Sequence, residues 1–237
     1  MSISRKTISK DTNKPYVCAH CGNGYVKEST LAVHMCEQKR RFLAKTEKHV
    51  QLGYMTYIRF YELSHNSKVK KSYDDFAKSP YYNAFVKFGS FLSNVNPLYL
   101  DRYIDYVVMS GVKLDHWCDE GMYYRYVNDL IKKETAEVAI ERSIKTMIAW
   151  GDANNAHWSH YFKYVSPNRF VYDLKDGKIS PWIVLNSNTG KAMLQNLNDE
   201  QIAMIVDILE PSFWTKKFKT YPADLELINS VVSEGKL

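Results

Sequence analysis

The chain reads as mainly α: a small ββα-like module at the N-terminus followed by an all-helical domain. Three observations predict this. A cysteine pair and a histidine are spaced for one metal ion within residues 16–36, helix-start and helix-stop residues punctuate the rest, and apolar side chains recur there at helical spacing. The expected division is a basic tail at 1–14, the N-terminal module with a basic helical extension at 15–48, and a helical domain at 49–237.

The first fourteen residues, "MSISRKTISKDTNK", are polar and basic without periodicity, which reads as a flexible tail. They also lack the apolar core of a signal peptide. No apolar run reaches the roughly 18 residues that a membrane span needs, so the expectation is a cytoplasmic protein with no membrane partner. Hydrophobic residues are 45% of the chain, which argues for a folded rather than a disordered protein. Four cysteines in 237 residues make no disulfide framework, and a reducing compartment follows.

In the stretch "YVCAHCGNGYVKESTLAVHMC", Cys18 and Cys21 stand two apart with Gly22 next, which lets the backbone turn so that two thiolates face one ion. Tyr16, Tyr25 and Leu31 would form a small apolar core over a short hairpin and a helix starting near Glu28, with His34 on that helix. Cys36 is the nearest candidate for a fourth ligand. Two residues along an ideal α-helix is a turn of about 200°, so Cys36 joins His34 only if the helix breaks or unwinds at Met35. The alternatives are His49 folding back, or three protein ligands and an open position. His20, between the cysteines, reads as a surface residue.

These residues resemble the Cys-Cys-His-His zinc-finger family over about 21 positions. The resemblance implies Zn2+ as cofactor, with Cys18, Cys21 and His34 as ligands; Cys36 is the expected fourth by its position in this chain and not by the family pattern. It also departs from the family, whose last ligand lies a helical turn past the first His, where this chain has Gln38, Lys39 and Arg40. The positions that read bases in such fingers fall on Lys27, Thr30 and Val33, a poor code, and a lone finger covers only about three base pairs.

Charge points to a polyanion. Residues 1–71 hold 14 Lys and Arg against five acids, whereas residues 72–237 hold 18 against 21, so the whole net charge of +6 comes from the N-terminal third. In "EQKRRFLAKTEK", Lys39, Arg40, Arg41, Lys45 and Lys48 can line up beside a phosphate backbone, the alternatives being a solvated helix face or a protein contact. The expected partner is nucleic acid, DNA ahead of RNA, bound with low sequence specificity.

Beyond residue 71, Ser79-Pro80 is followed by Gly89, Asn96-Pro97 by Gly111, Ser166-Pro167 by Gly177, and Ser180-Pro181 by Gly190. A cap, a proline in the first turn and a glycine just past the end mark helices. Asp176-Gly177 leaves a hairpin open as an alternative, though Pro181 argues against a central strand. Apolar stripes are expected at Val50, Tyr54, Tyr57, Ile58 and Tyr61; at Ile140, Ile144, Met147 and Ile148; and at Ile202, Ile205, Val206 and Leu209, with Asn198 as cap. Nine of the 18 tyrosines lie between Tyr73 and Tyr126, a density that half-buried packing explains better than base stacking.

The segments "STLAVHMCEQKRRF", "YYNAFVKFG", "NPLYL" and "SPWIV" give the whole chain a resemblance to zinc-finger proteins of T-even-type phages of marine bacteria. It implies a phage protein acting in the host cytoplasm and no particular reaction. His116 with Cys118, and His157 with His160, are a minor candidate for a second metal site. No phosphate loop, nucleophile elbow or two-metal carboxylate set appears. The expected function is therefore non-enzymatic zinc-dependent binding of nucleic acid. The alternative is an adaptor whose finger and Tyr-rich body grip a host or phage protein.

Overall fold

A computed structural model describes residues 13–65 and 71–237. The tail reading of 1–14 falls almost entirely outside them. The described residues form 15 α-helices and one two-stranded antiparallel sheet. The chain divides into two compact units, residues 1–96 with 107–118, and residues 97–106 with 119–237.

The first unit begins with β1 (Tyr16–Val17) and β2 (Gly24–Tyr25), paired in the register Tyr16 to Tyr25. Then come α1 (Glu28–Val33), α2 (Glu37–Leu43), α3 (Lys48–His65), α4 (Tyr73–Lys78) and α5 (Tyr82–Val95). Its core lies on α3, α4 and α5, where Tyr57, Phe76, Phe85, Phe88 and Leu92 are buried, with Trp117 from further along the chain packed on Phe85 and Phe88. Two glycines set the α3–α5 crossing. A Cβ on Gly89 would lie 2.0 Å from the His49 carbonyl oxygen, and one on Gly53 would lie 2.7 Å from that of Phe85. At both points one helix backbone rests directly against the other.

Gly89 is therefore a contact inside a helix and not the helix stop expected of it. Ser79 ends α4, and Asn96, in the left-handed conformation, ends α5. The stripe on α3 is close to expectation: Val50 and Tyr57 are buried and Tyr54, Ile58 and Tyr61 half-buried, with Gly53 and Thr56 added between them.

The second unit takes in most of α6 (Leu100–Met109), then α7 (Glu120–Lys133), α8 (Ala136–Asn154), α9 (Tyr161–Tyr164) and α10 (Pro167–Lys175). It continues through α11 (Pro181–Val184), α12 (Asn188–Gln195), α13 (Asp199–Ala203), α14 (Pro211–Thr220) and α15 (Pro222–Gly235). Ser166 and Ser180 cap α10 and α11 with proline in the first turn, and Gly177, at φ 73°, turns the chain after α10. The hairpin alternative at Asp176-Gly177 is thereby replaced by two helices. Gly190 lies inside α12, where a Cβ would meet the Ser187 hydroxyl and the Val184 carbonyl, so it too is a close approach rather than a stop.

Two stripes shift from expectation. On α8 the buried face is Ala136, Ala139, Ser143, Met147 and Gly151, while Ile148 is exposed. Small residues let neighbouring backbone come close, a gain that counting large apolar residues misses. After Asn198, which caps α13 through a capping box with Gln201, the helix ends at Ala203. Burial then falls on Ile205 and Ile208, and Ile202 and Val206 face solvent. The tyrosines depart from uniform half-burial: Tyr103, Tyr123 and Tyr126 are buried against one another, while Tyr81 and Tyr99 are exposed. The Tyr126 hydroxyl donates to the Leu98 carbonyl, and the Leu98 N–H donates to Tyr123.

Candidate metal centre

Residues 13–36 bury only one side chain, Cys18. The expected apolar core does not form: Tyr16 is exposed, and Tyr25 and Leu31 are only half-buried. What converges instead is Cys18, Cys21, His34 and Cys36, whose ligand atoms all lie within 4.8 Å of one another. Cys18 Sγ is 4.0 Å from Cys36 Sγ, and Cys21 Sγ is 3.3 Å from His34 Nε2. Sulfurs at two corners of a tetrahedron with bonds of about 2.3 Å stand about 3.8 Å apart, so the spacing fits one tetrahedral ion.

Local backbone builds this arrangement. Gly22, at φ 77°, donates its N–H to the Cys18 carbonyl, and the Cys18 N–H donates to Asn23, closing the knuckle that carries both thiols. Helix α1 stops at Val33, and His34 (φ −65°, ψ 125°) and Cys36 (φ −84°, ψ 166°) are both extended. The break required for Cys36 to reach the site is present. Cys36 also serves as N-cap of α2, its sulfur accepting the Lys39 N–H at 3.4 Å. One side chain thus closes the ligand set and starts the next helix. His49 is not in the cluster.

The surroundings favour metal binding. The Tyr25 hydroxyl is 2.8 Å from His34 Nδ1, which fixes the ring and leaves Nε2 toward the sulfurs. Burial alone would raise the Cys18 thiol, but backbone N–H groups of Cys21 and His20 and the adjacent thiols hold it below its ordinary value. The Asn23 backbone favours the Cys21 thiolate, yet burial and the neighbouring Cys18 and Cys36 outweigh it and raise that thiol. Three thiolates cannot crowd one site without a cation between them. The donor set fits a metal ion that takes three thiolates and one imidazole.

The residues expected to meet nucleic acid separate into two kinds. Lys27, Thr30, Arg40, Lys45 and Lys48 are exposed, Lys45 standing 5.2 Å over the Tyr73 ring. Lys39 is half-buried and donates its Nζ to the His34 carbonyl. Arg41 is turned inward: it donates to the Ala77 and Ser79 carbonyls at 2.9 and 3.3 Å, pairs with Glu37 and stacks 4.5 Å over Tyr82. The Tyr73 hydroxyl answers by donating to the Arg41 carbonyl. Phe42 lies between Tyr73 and His20, so His20 packs against α2 instead of standing free. Sequence reasoning missed this latch because its acceptors lie 36 and 38 residues further along the chain.

Of the minor candidates, His157 bonds Ser159, and Cys118 is half-buried with its thiol raised by burial. Among the described residues, the group of cysteines and histidines with ligand atoms drawn together is the one at 18–36. No helix in the described residues is long and apolar enough to cross a membrane.

Fold and site together define a class: a helical protein with an N-terminal hairpin module organised around a Cys3His metal-ligand set. The chain matches no protein-family model, no curated protein and no solved structure.

Proposed function

We propose that the Cys3His set holds one structural Zn2+ and that the module it organises binds nucleic acid through the phosphate backbone, without an enzymatic step. The observation that carries the reading is the coupling of the ligand set to a basic surface: Cys36 begins the helix from which Arg40 projects, with exposed Lys27, Lys45 and Lys48 on the flanking segments. Thr30 and Val33 supply little base readout, so low sequence specificity follows, with duplex DNA the preferred form. The resemblance of the chain to marine phage finger proteins would place this activity in the host cytoplasm.

The test is binding to random duplex DNA by fluorescence anisotropy across a salt series. Each phosphate contact contributes about 0.9 to the slope of log affinity against log salt. Reversing Arg40, Lys45 and Lys48 to Glu should flatten it by roughly 2 to 3. Unchanged affinity and slope would refute the reading. A second reading, a protein adaptor, is favoured by apolar exposure on the same module: Val26 60%, Val33 81%, Met35 48% and Leu43 64%. It predicts partner capture that Val33→Asp abolishes and the charge reversal leaves intact.

A further inference from the structure

Residues 72–237 are acidic overall, yet the second unit gathers lysines around one depression. A cavity of about 510 Å3 lies between the end of α7 and helix α14, and Lys132, Lys133, Lys216 and Lys217 line it, with Phe213 and Tyr221 as aromatic walls. A shallower depression of about 550 Å3 shares Lys216 and Thr220 with it and continues to Lys219.

The charges in this region are not mutually cancelled. Glu134 and Asp224 also line the cavity, but Glu134 is engaged elsewhere, accepting two bonds from Arg142 at 2.5 and 2.9 Å and one from Ser180 at 2.7 Å. Asp224 accepts the Ala136 N–H that opens α8. Glu210 pairs with Lys132 at 2.8 Å. Lys217 is buried and donates to the Lys132 and Glu134 carbonyls, which caps α7 from below. Lys133, Lys216 and Lys219 remain, all exposed, and their ammonium groups have no hydrogen bond or ion pair among the described residues. Lysines in a last helical turn complement the helix dipole, which bears on Lys132 and Lys133 of α7 and on Lys217 and Lys219 of α14. It does not account for Lys216, nor for the gathering of three unpartnered ammonium groups from two helices around adjoining depressions.

We propose that this groove is a second anion site, which takes the phosphates of a single-stranded polynucleotide on Lys133, Lys216 and Lys219 and seats a base against Tyr221. The aromatic is available, with Tyr221 52% exposed. A basic track beside an aromatic platform is how single strands are held without sequence preference. The adjoining depressions favour a strand over an isolated nucleotide. Choosing a polynucleotide over another phosphate ligand rests on the nucleic-acid reading of the finger, whereas the unpartnered lysines do not.

The experiment uses the full metal-loaded chain and a fluorescein-labelled oligothymidylate, with thymidine monophosphate and inorganic phosphate as separate titrants. Lys133→Glu/Lys216→Glu/Lys219→Glu should weaken the oligonucleotide at least tenfold and flatten its salt slope by about 2, at about 0.7 per contact on single strands. Tyr221→Ala should weaken it about tenfold, and Tyr221→Trp should restore it. Saturable binding of the monophosphate that the lysine variant abolishes would support the site with a free nucleotide as occupant. Full oligonucleotide affinity in the lysine variant, together with no monophosphate binding in the parent, would overturn it. The finger reversal Arg40→Glu/Lys45→Glu/Lys48→Glu, run in parallel, separates the two readings. Loss there alone leaves the finger standing without the groove, and loss in the groove variant alone does the opposite.

Discussion

Within the first unit, residues 13–36 and the α3–α5 pair are stabilised by opposite means. The former bury one side chain in 24, and that side chain, Cys18, belongs to the Cys3His cluster; the latter interlock at two glycines around buried rings. A module this small cannot bury enough apolar area to offset chain entropy, so ligation must supply what packing does not. The helix pair needs no such help. The contrast predicts that metal content and global stability are separable properties of this chain.

The sharpest way to break that contrast is to remove the metal. Apparent binding free energies at such sites are about 10 kcal/mol or more, so chelation, Cys18→Ser or Cys36→Ser should unfold residues 16–36. Hydrogen exchange should show protection lost there and retained in α3 and α5; loss in both would mean that the helix pair depends on the metal. Tyr25→Phe should lower metal affinity only about tenfold, because it frees the His34 ring without removing a ligand.

Next in size is Gly89→Ala, which forces a methyl into the His49 carbonyl. It should cost about 3 kcal/mol or more in thermal unfolding while one metal equivalent is retained. An unchanged melting temperature would show that the helices do not cross as closely as described. Arg41→Ala should cost about 2 kcal/mol, since it leaves the Ala77 and Ser79 carbonyls short of a donor and loosens the module from α4. Arg41→Lys should not restore it, a single ammonium being unable to reach both carbonyls and stack on Tyr82.

The smallest effect is at the start of α4. Ser72 and Asp75 cap each other, and the Ser72 backbone N–H, followed by its hydroxyl, holds the Asp75 carboxyl below the usual range, so that Ser72→Ala removes only the hydroxyl's share. A depressed carboxyl contributes stability in full above its unfolded pKa and loses it as pH falls through the folded one. Ser72→Ala should therefore cost about 1 kcal/mol near neutrality and progressively less in acid. A cost independent of pH would assign the effect to the hydroxyl alone.

The clustering of the four side chains was legible because the spacing of Cys18, Cys21 and His34, and the break that Cys36 demands, are local geometry. That Cys36 would cap α2 was not, since a thiol is an uncommon N-cap. Helix starts at Ser166, Ser180 and Asn198 were legible for the same local reason. Gly89 and Gly190 were misread as stops because nothing nearby in sequence reveals a backbone crossing. The α8 stripe shifted for a related cause: Ala139 and Ser143 carry no hydrophobic signal, and their value lies in what they permit a neighbour to do. Arg41 looked like its solvent-facing neighbours, and only distant carbonyls distinguish it.

The α3–α5 crossing also constrains how far this chain can diverge. Aromatic rings around it can exchange for one another as long as volume is kept, but no side chain at all is compatible with Gly53 or Gly89 unless the helices part. Drift would therefore erase most of the alignment signal before it touched those two positions. A descendant too remote to align should still carry two glycines 36 residues apart, downstream of a C-x2-C-x12-H-x-C pattern, and that sparse signature is what a search for kin should use.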